Sequence, residues 1–361
     1  MTSLLRGADV RAAGLDGFLL RPEHTLRDAL RRFRRTGGDI AVVVDGEGKV
    51  VGTVTDDAIR RAALTGMTPD GRVSEIVSTR HLVAAGATDE EILGQMRMHR
   101  ARSVAVVDRD GRLSDVRALG GFLDPRSDPV AVLMAGGRGE RLRPLTDKVP
   151  KPLLRVGASS IVEQLIASLA AAGVEDVYVA VGYKADEFER RLGTGDHLGV
   201  RLRFLREEEP LGTAGALARL PAVAGPIVVS NADIVTDLDF ARLLDFHWRH
   251  GGALTVAAVS HLSPIPYAVL ETADYHLVSI QEKPHRRDLC SAGIYVLEPD
   301  VLRFIVPEVP LAMPDLIAQV LDEGLVVNVF PLLEKWFDIG GSAEFERVLV
   351  DFAVGEDEEG G

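Results

Sequence analysis

Gly136, Gly137 and Gly139 precede Arg141 and, ten residues further on, Lys151, in a stretch that reads VAVLMAGGRGERLRPLTDKVPKP from Val130 to Pro152. Glycines let backbone approach a ligand and present successive N–H groups, a concavity suited to phosphate oxygens. Arg141 and Lys151 add cations beside it. The stretch lacks the third glycine of a dinucleotide fingerprint and the Gly-Lys-Ser/Thr of a Walker loop; by itself it is equally a plain tight turn. Two carboxylates extend the set. Asp233 ends the apolar run Ile227-Val228-Val229-Ser230-Asn231-Ala232, and Asp338 follows Trp336-Phe337. One or two acids completed by phosphates and water is the donor set that magnesium prefers. For Asp233 alone, an exposed loop aspartate is the alternative.

These side chains need a frame that brings them together. Val130 to Met134 and Val177 to Val181 are continuous apolar runs, as is Ile227 to Val229, the pattern of strands buried on both faces of a parallel sheet. Between the first two, Ile161-Val162, Leu165-Ile166 and Leu169 recur at helical spacing and end at Gly173, a helix-stopping residue. Strands alternating with amphipathic helices predict an α/β domain with a mainly parallel sheet and ligands at the carboxyl ends of its strands. Gly182, Tyr183 and Lys184 stand at such an end, as ligand-site lining or as turn and packing residues.

The motif set resembles that of the sugar-phosphate nucleotidyltransferases, and most of all the mannose-1-phosphate guanylyltransferases. Gly136, Gly137, Gly139, Arg141, Leu142, Pro144, Leu145 and Thr146, then Pro150, Lys151 and Pro152, match G-G-x-G-[TS]-R-L-x-P-L-T followed by P-K-P. Glu140 stands where the family has Thr or Ser. It must point outward or meet Arg138, Arg141 or Arg143, since an unpaired anion beside phosphates is repelled. Glu207 to Ala216 resembles E-x-P-L-G-T-A-G-A, Glu282-Lys283-Pro284 matches E-K-P, and Trp336 to Gly340 resembles W-x-D-I-G. Ser291 to Tyr295 resembles N-A-G-I-Y, with serine for asparagine, and Tyr267-Ala268-Val269 resembles Y-G-V.

The resemblance implies a Rossmann-like nucleotidyltransferase domain over residues 130–354. It would transfer a nucleotidyl group from a nucleoside triphosphate, GTP favoured, to a mannose- or glucosamine-like sugar 1-phosphate, releasing pyrophosphate. It assigns catalysis to Arg141 and Lys151, and the nucleotide to Ala135, Gly136, Gly137, Gly139, Gly212, Thr213 and Asn231. The sugar phosphate falls to Glu282, Lys283, Gly182, Tyr183 and Ser291, and Mg²⁺ to Asp233 and Asp338. The alternatives are the same chemistry with TTP, UTP or CTP, for instance on glucose 1-phosphate, and a non-catalytic sugar-nucleotide sensor.

Before Val130 the chain repeats itself at an offset of 63 residues. Thr25-Leu26-Arg27-Asp28 and Thr88-Asp89-Glu90-Glu91 each place a threonine cap three residues before an acid, and each leads to an apolar strand and a glycine turn. The layout resembles a tandem pair of CBS modules, βαββα units covering residues 1–126, with repeats at about 15–75 and 76–124. Gly52-Thr53-Val54-Thr55 matches the family's G-h-h-T turn. The acid expected to hold a ribose is replaced by Ala58, beside Asp56 and Asp57, and the second unit has Asp115-Val116-Arg117-Ala118 in place of the turn. A structural or dimerising role is therefore favoured over nucleotide sensing. The apolar helix positions Ala29, Leu30, Phe33, Ile92, Leu93 and Met96 are the expected homo-oligomer interface. Residues 127–129 read as a linker and 355–361 as an acidic tail.

The 361 residues carry a formal charge of −13. Residues 1–126 hold 20 basic and 18 acidic side chains, so nearly all the excess acid lies beyond them. This excludes nucleic acid as the expected partner. The single cysteine, Cys290, and the lack of a membrane-length apolar run suit a reducing cytoplasm.

Overall fold

Thr25 and Thr88 start helices as their sequence context predicts. Thr25 Oγ1 accepts the Asp28 N–H at 3.2 Å while Asp28 accepts the Thr25 N–H at 2.9 Å; Thr88 and Glu91 repeat the exchange at 3.3 and 2.7 Å. The helices Leu26–Thr36 and Asp89–His99 each lead to an antiparallel pair, Ile40–Val44 with Val50–Thr55 and Ser103–Val107 with Leu113–Leu119. Leu19–Leu20 and Leu82–Ala84 add parallel strands. The sequence repeat is thus a structural repeat. Its two sheets share a core of Phe18, Ile40, Val42, Val44, Ala105 and Val116.

One expectation changes here. Ala29, Leu30, Phe33, Ile92 and Met96 are buried and Leu93 is half-buried, because both helices turn their apolar stripe onto strands of their own repeat. They are core and not an interface between copies. Asp56 and Asp57 are both engaged as well. Asp56 is buried against Arg60, with Nε to Oδ2 at 3.3 Å and Nη2 to Oδ1 at 3.2 Å, and Asp57 pairs with Arg61.

This repeat belongs to the first of two units, residues 1–122 and 123–361. The computed structural model describes residues 4–6, 14–99, 101–119 and 128–353. Residue 127 of the 127–129 linker and the tail 355–361 lie outside the described residues. Among those described, no helix is long and apolar enough to cross a membrane.

In the second unit, numbered from its own first strand, the elements are β1 (Val130–Met134), α1 (Ile161–Ala171), β2 (Asp176–Val181), α2 (Ala185–Leu192), β3 (Arg201–Arg206), β4 (Ile227–Asn231), β5 (Ile234–Thr236) and α3 (Phe240–His250). There follow β6 (Leu254–Pro264), β7 (Val269–Ala273), β8 (His276–Gln281), β9 (His285–Leu297), α4 (Met313–Asp322), β10 (Val327–Pro331), β11 (Trp336–Asp338) and α5 (Ser342–Ala353). Seven strands form one sheet in the order β3-β2-β1-β4-β9-β6-β10, in which only β9 runs against its neighbours. The continuous apolar runs have the predicted cause, since both faces of the sheet are covered. Ala131, Leu133, Val177 and Val179 pack with α1 and α3, while Val130, Val132, Tyr178 and Ala180 pack with α4. Past Val259, β6 and β9 leave this core as an exposed ladder, and β7–β8 is a second exposed hairpin carrying Leu270, Leu277, Val278 and Ile280.

Candidate active site

The strand order reverses at β1. The chain passes from β1 outward to β2 and β3, then returns to lay β4 on the other side of β1. Segments leaving the carboxyl ends of β1 and β4 therefore face one crevice, where ligands bind in open α/β sheets. The Ala232 N–H donates to Met134 O at 3.0 Å, so the glycine loop and Asp233 leave the sheet side by side. A cleft of about 340 Å³ lies there, lined by Ala135, Gly137, Gly139, Glu140, Arg141, Lys151, Asp233 and Gly340 among others.

The loop is built to leave its donors free. Among the described residues, no N–H from Gly136 to Arg141 donates to another protein group. Gly139 has φ 62°, and a Cβ there would lie 3.0 Å from Thr146 Cγ2 and 3.2 Å from Lys151 Cβ, so both conformation and packing require glycine. At Gly137 a Cβ would meet nothing within 4 Å; its space is open. Buried Thr146 donates its hydroxyl to Gly139 O at 2.8 Å. Because C=O and N–H oppose one another across a trans peptide, this bond turns the Glu140 N–H to the opposite side. Glu140 itself is exposed, lines the cleft, and has no ion-pair partner among the described residues, so the pairing with Arg138, Arg141 or Arg143 is not made. Arg143 pairs instead with Asp147, at 3.4 Å.

Lys151 Nζ lies 2.5 Å from Asp233 Oδ2, with side chains 10% and 30% exposed. Antiparallel pairing of β5 with β11 sets Ile234 opposite Asp338, and the Ile339 N–H reaches Asp233 O at 3.4 Å. Two acids 105 positions apart in sequence thus share one wall. Asp338 is open to solvent on one side, yet partial desolvation in the concave wall and the Asp233 carboxylate push its carboxyl above the usual range. Lys151 and Arg141 pull the other way. A Cβ on Gly340 would lie 3.6 Å from Arg141 Nη1, which puts that guanidinium along the same wall. Among the described residues, no cluster of three or more acids, histidines or cysteines is assembled for a metal. Two carboxylates are present.

Gly212 and Thr213 lie on a turn after β3 with one side exposed. Their smallness has a cause the sequence does not show. A Cβ on Gly212 would fall 2.6 Å from Leu311 O, and one on Gly215 would fall 3.0 Å from Val309 O. Glu207 joins this turn to the glycine loop. Its Oε2 accepts the Leu211 N–H at 2.9 Å, and its Oε1 would be 3.1 Å from a Cβ on Gly136. Nothing distinguishes Glu207 from Glu208 and Glu209 in the sequence; alternation along β3 is the only available signal.

Other candidates lie around this centre. Gly182 is against the backbone of Gly136 and Glu207, and Lys184, at φ 55°, donates to Asp147 O while lying 5.1 Å from the Tyr183 ring centroid. Asn231 packs on Gly293, where a Cβ would meet its Nδ2 at 2.6 Å; Gly293 has φ 70° and lies where the β6–β9 register shifts. Ser291 bonds Tyr295 Oη at 2.8 Å. The Trp336 indole donates to Ala292 O at 2.9 Å, a tie between β9 and β11 that sequence reading did not anticipate. Glu282 and Lys283 are exposed on the β8–β9 turn and do not line the cleft.

Residues 130–353 match the family model described as nucleotidyl transferase, and residues 18–65 match the CBS domain model. The mannose-1-phosphate guanyltransferase of Kluyveromyces lactis is 36% identical over 224 residues, covering 59% of this chain and 62% of that protein. The mannose-1-phosphate guanylyltransferase of Mycobacterium tuberculosis is 33% identical over 235 residues, covering 62% and 65%. The chain thus spans less than two thirds of the length of these relatives. A solved structure from Bacillus anthracis, a putative glucose-1-phosphate thymidylyltransferase in complex with a sucrose, superposes with a TM-score of 0.52 at 22% identity. It covers 62% of this chain and 95% of that one, and the likeness is one of fold.

Proposed function

The chain belongs to the nucleotidyl transferase family, and from that premise we propose that it joins a nucleoside triphosphate to a sugar 1-phosphate, with GTP and a mannose- or glucosamine-like sugar favoured. One observation carries the reading: loop N–H groups that no protein group accepts, Arg141, Lys151 and Asp233 line one cleft, with Asp338 on the strand paired beside Asp233. Such a site combines donors and cations for phosphates with hard oxygen ligands.

In the proposed reaction an oxygen of the sugar 1-phosphate forms a bond to the α-phosphorus. The bond from that phosphorus to the bridging oxygen breaks, and pyrophosphate leaves. Both reactants are anions, so the work lies in alignment and charge neutralisation. The loop N–H groups and Arg141 hold the departing pyrophosphate and Lys151 the α-phosphate; Lys283, expected at the sugar phosphate, lies outside the cleft and is given no role. No general base is required, because the attacking phosphate oxygen is ionised at neutral pH. The donor set fits magnesium: two neighbouring carboxylates, with open space at Gly137 on the loop side. Asp233 and Asp338 would hold it, and when bound it supplies charge stabilisation on the transferring group. The N-terminal repeat is read as structural, since the arginines beside Asp56 and Asp57 already occupy the acids a ribose would need.

A panel of nucleoside triphosphates against several sugar 1-phosphates, scored by pyrophosphate release with magnesium, tests the assignment. Release with no pair in the panel would overturn it. Preference for TTP, UTP or CTP would keep the chemistry and replace the base.

A further inference from the structure

Thr213 is joined to a part of the chain a hundred residues away. Its Oγ1 accepts the N–H of Met313, the first residue of α4, at 2.8 Å, a bond that the cap residue Ala312 has no side chain to make. The strap leading into that helix follows the turn step by step. The Leu311 N–H donates to Leu211 O at 2.9 Å, and Leu311 O accepts the N–H groups of Ala214 and Gly215 at 2.9 and 3.1 Å. Further along, Arg219 Nη2 meets Glu308 Oε2 at 2.8 Å. Leu316 and Val320 of α4 are in the core beneath the sheet, which makes the strap a rigid support.

We propose that Thr213 is a positioning residue for the nucleobase, acting through its side chain: the hydroxyl clamps the Leu211–Thr213 turn to the strap 306–312, so the backbone that meets the base is set before the nucleotide arrives. This rests on the nucleotidyl-transfer reading and adds to it. The resemblance assigns the nucleotide to Gly212 and Thr213, which are exposed on this turn; a base held there by backbone cannot be probed directly by substitution, whereas the clamp can be removed. Preorganisation of this kind is expressed in affinity and in discrimination among bases, since a turn free to shift fits more than one base edge.

The test compares Thr213→Val, which keeps shape and removes the hydroxyl, with Thr213→Ser, which restores it. In the full chain, Thr213→Val is expected to raise KM for the preferred triphosphate roughly fivefold to tenfold, the scale of a lost helix cap. KM for the sugar 1-phosphate and kcat should move far less. The preference for that triphosphate over the next best should narrow by a similar factor, and Thr213→Ser should recover both. Gly212→Ala attacks the same clamp from the turn side, where the new Cβ would press on Leu311 O, and should show the same KM pattern in a form that melts cooperatively. Parent-like KM and base preference in Thr213→Val would overturn the proposal, as would equal losses for both substrates. Absence of pyrophosphate release by the parent would instead overturn the functional reading.

Discussion

Lys151 Nζ and Asp233 Oδ2 are 2.5 Å apart at the junction of the glycine loop and the end of β4. The pair joins the residue assigned to the α-phosphate with one assigned to the metal. Without ligands the two charges neutralise each other; under the proposed function each would gain a new counter-charge, the phosphate for Lys151 and the cation for Asp233. Neither charge would then be left unpaired in either state.

Lys151→Arg is expected to lower turnover by roughly a hundredfold although the charge is retained. Lys151 is buried with Nζ 2.5 Å from Asp233 Oδ2, and a longer, planar guanidinium cannot put one point charge at that position. Steady-state pyrophosphate release measures it. Parent-like rates would make the lysine structural.

Asp233→Asn and Asp338→Asn should each reduce turnover by on the order of a hundredfold or more while melting like folded protein. Only Asp233→Asn should also weaken triphosphate binding without magnesium, because it removes the anion that positions Lys151. Titration of nucleotide binding with and without magnesium separates the two roles, and near-normal turnover in either variant would take that residue out of the metal site.

Thr146→Val should cost about 1 kcal/mol of stability, the usual scale of one hydrogen bond, since Gly139 O keeps the Leu142 N–H at 3.1 Å. It should also raise KM for the triphosphate, since the Glu140 N–H loses one of the two bonds that fix its direction. An unchanged KM with lowered stability would confine Thr146 to folding.

Much of this was legible in the residues. Buried strands announced themselves as apolar runs, the threonine caps by an acid three positions on, and the cleft by the glycine motif. What failed or was missing depends on partners distant in sequence. The apolar stripes of Leu26–Thr36 and Asp89–His99 have the same pattern whether they face their own sheet or a second copy. Gly212 and Gly215 stand in a recognised motif, but nothing in it says that a side chain there would meet the backbone of Leu311 and Val309. Glu207 is hidden among three consecutive acids until the fold brings its Oε2 to the Leu211 N–H.

His247 gives a pH dependence away from the site. It is buried in α3, with Nδ1 2.8 Å from Thr255 Oγ1 and Nε2 3.1 Å from Glu298 Oε1. Burial pushes its pKa below the ordinary value, against the pull of Glu298. Unfolding returns the imidazole to about 6.5, so below that pH the unfolded chain binds a proton that the fold does not. Stability from this group is therefore complete well above the unfolded value and is lost as pH falls through and below it. The slope is at most about 1.4 kcal/mol per pH unit. Between about pH 7.5 and 5.5 the melting temperature of the parent should drop further than that of His247→Gln, whose amide bonds both neighbours without titrating. Parallel curves for the two proteins would show that His247 takes up no proton on unfolding.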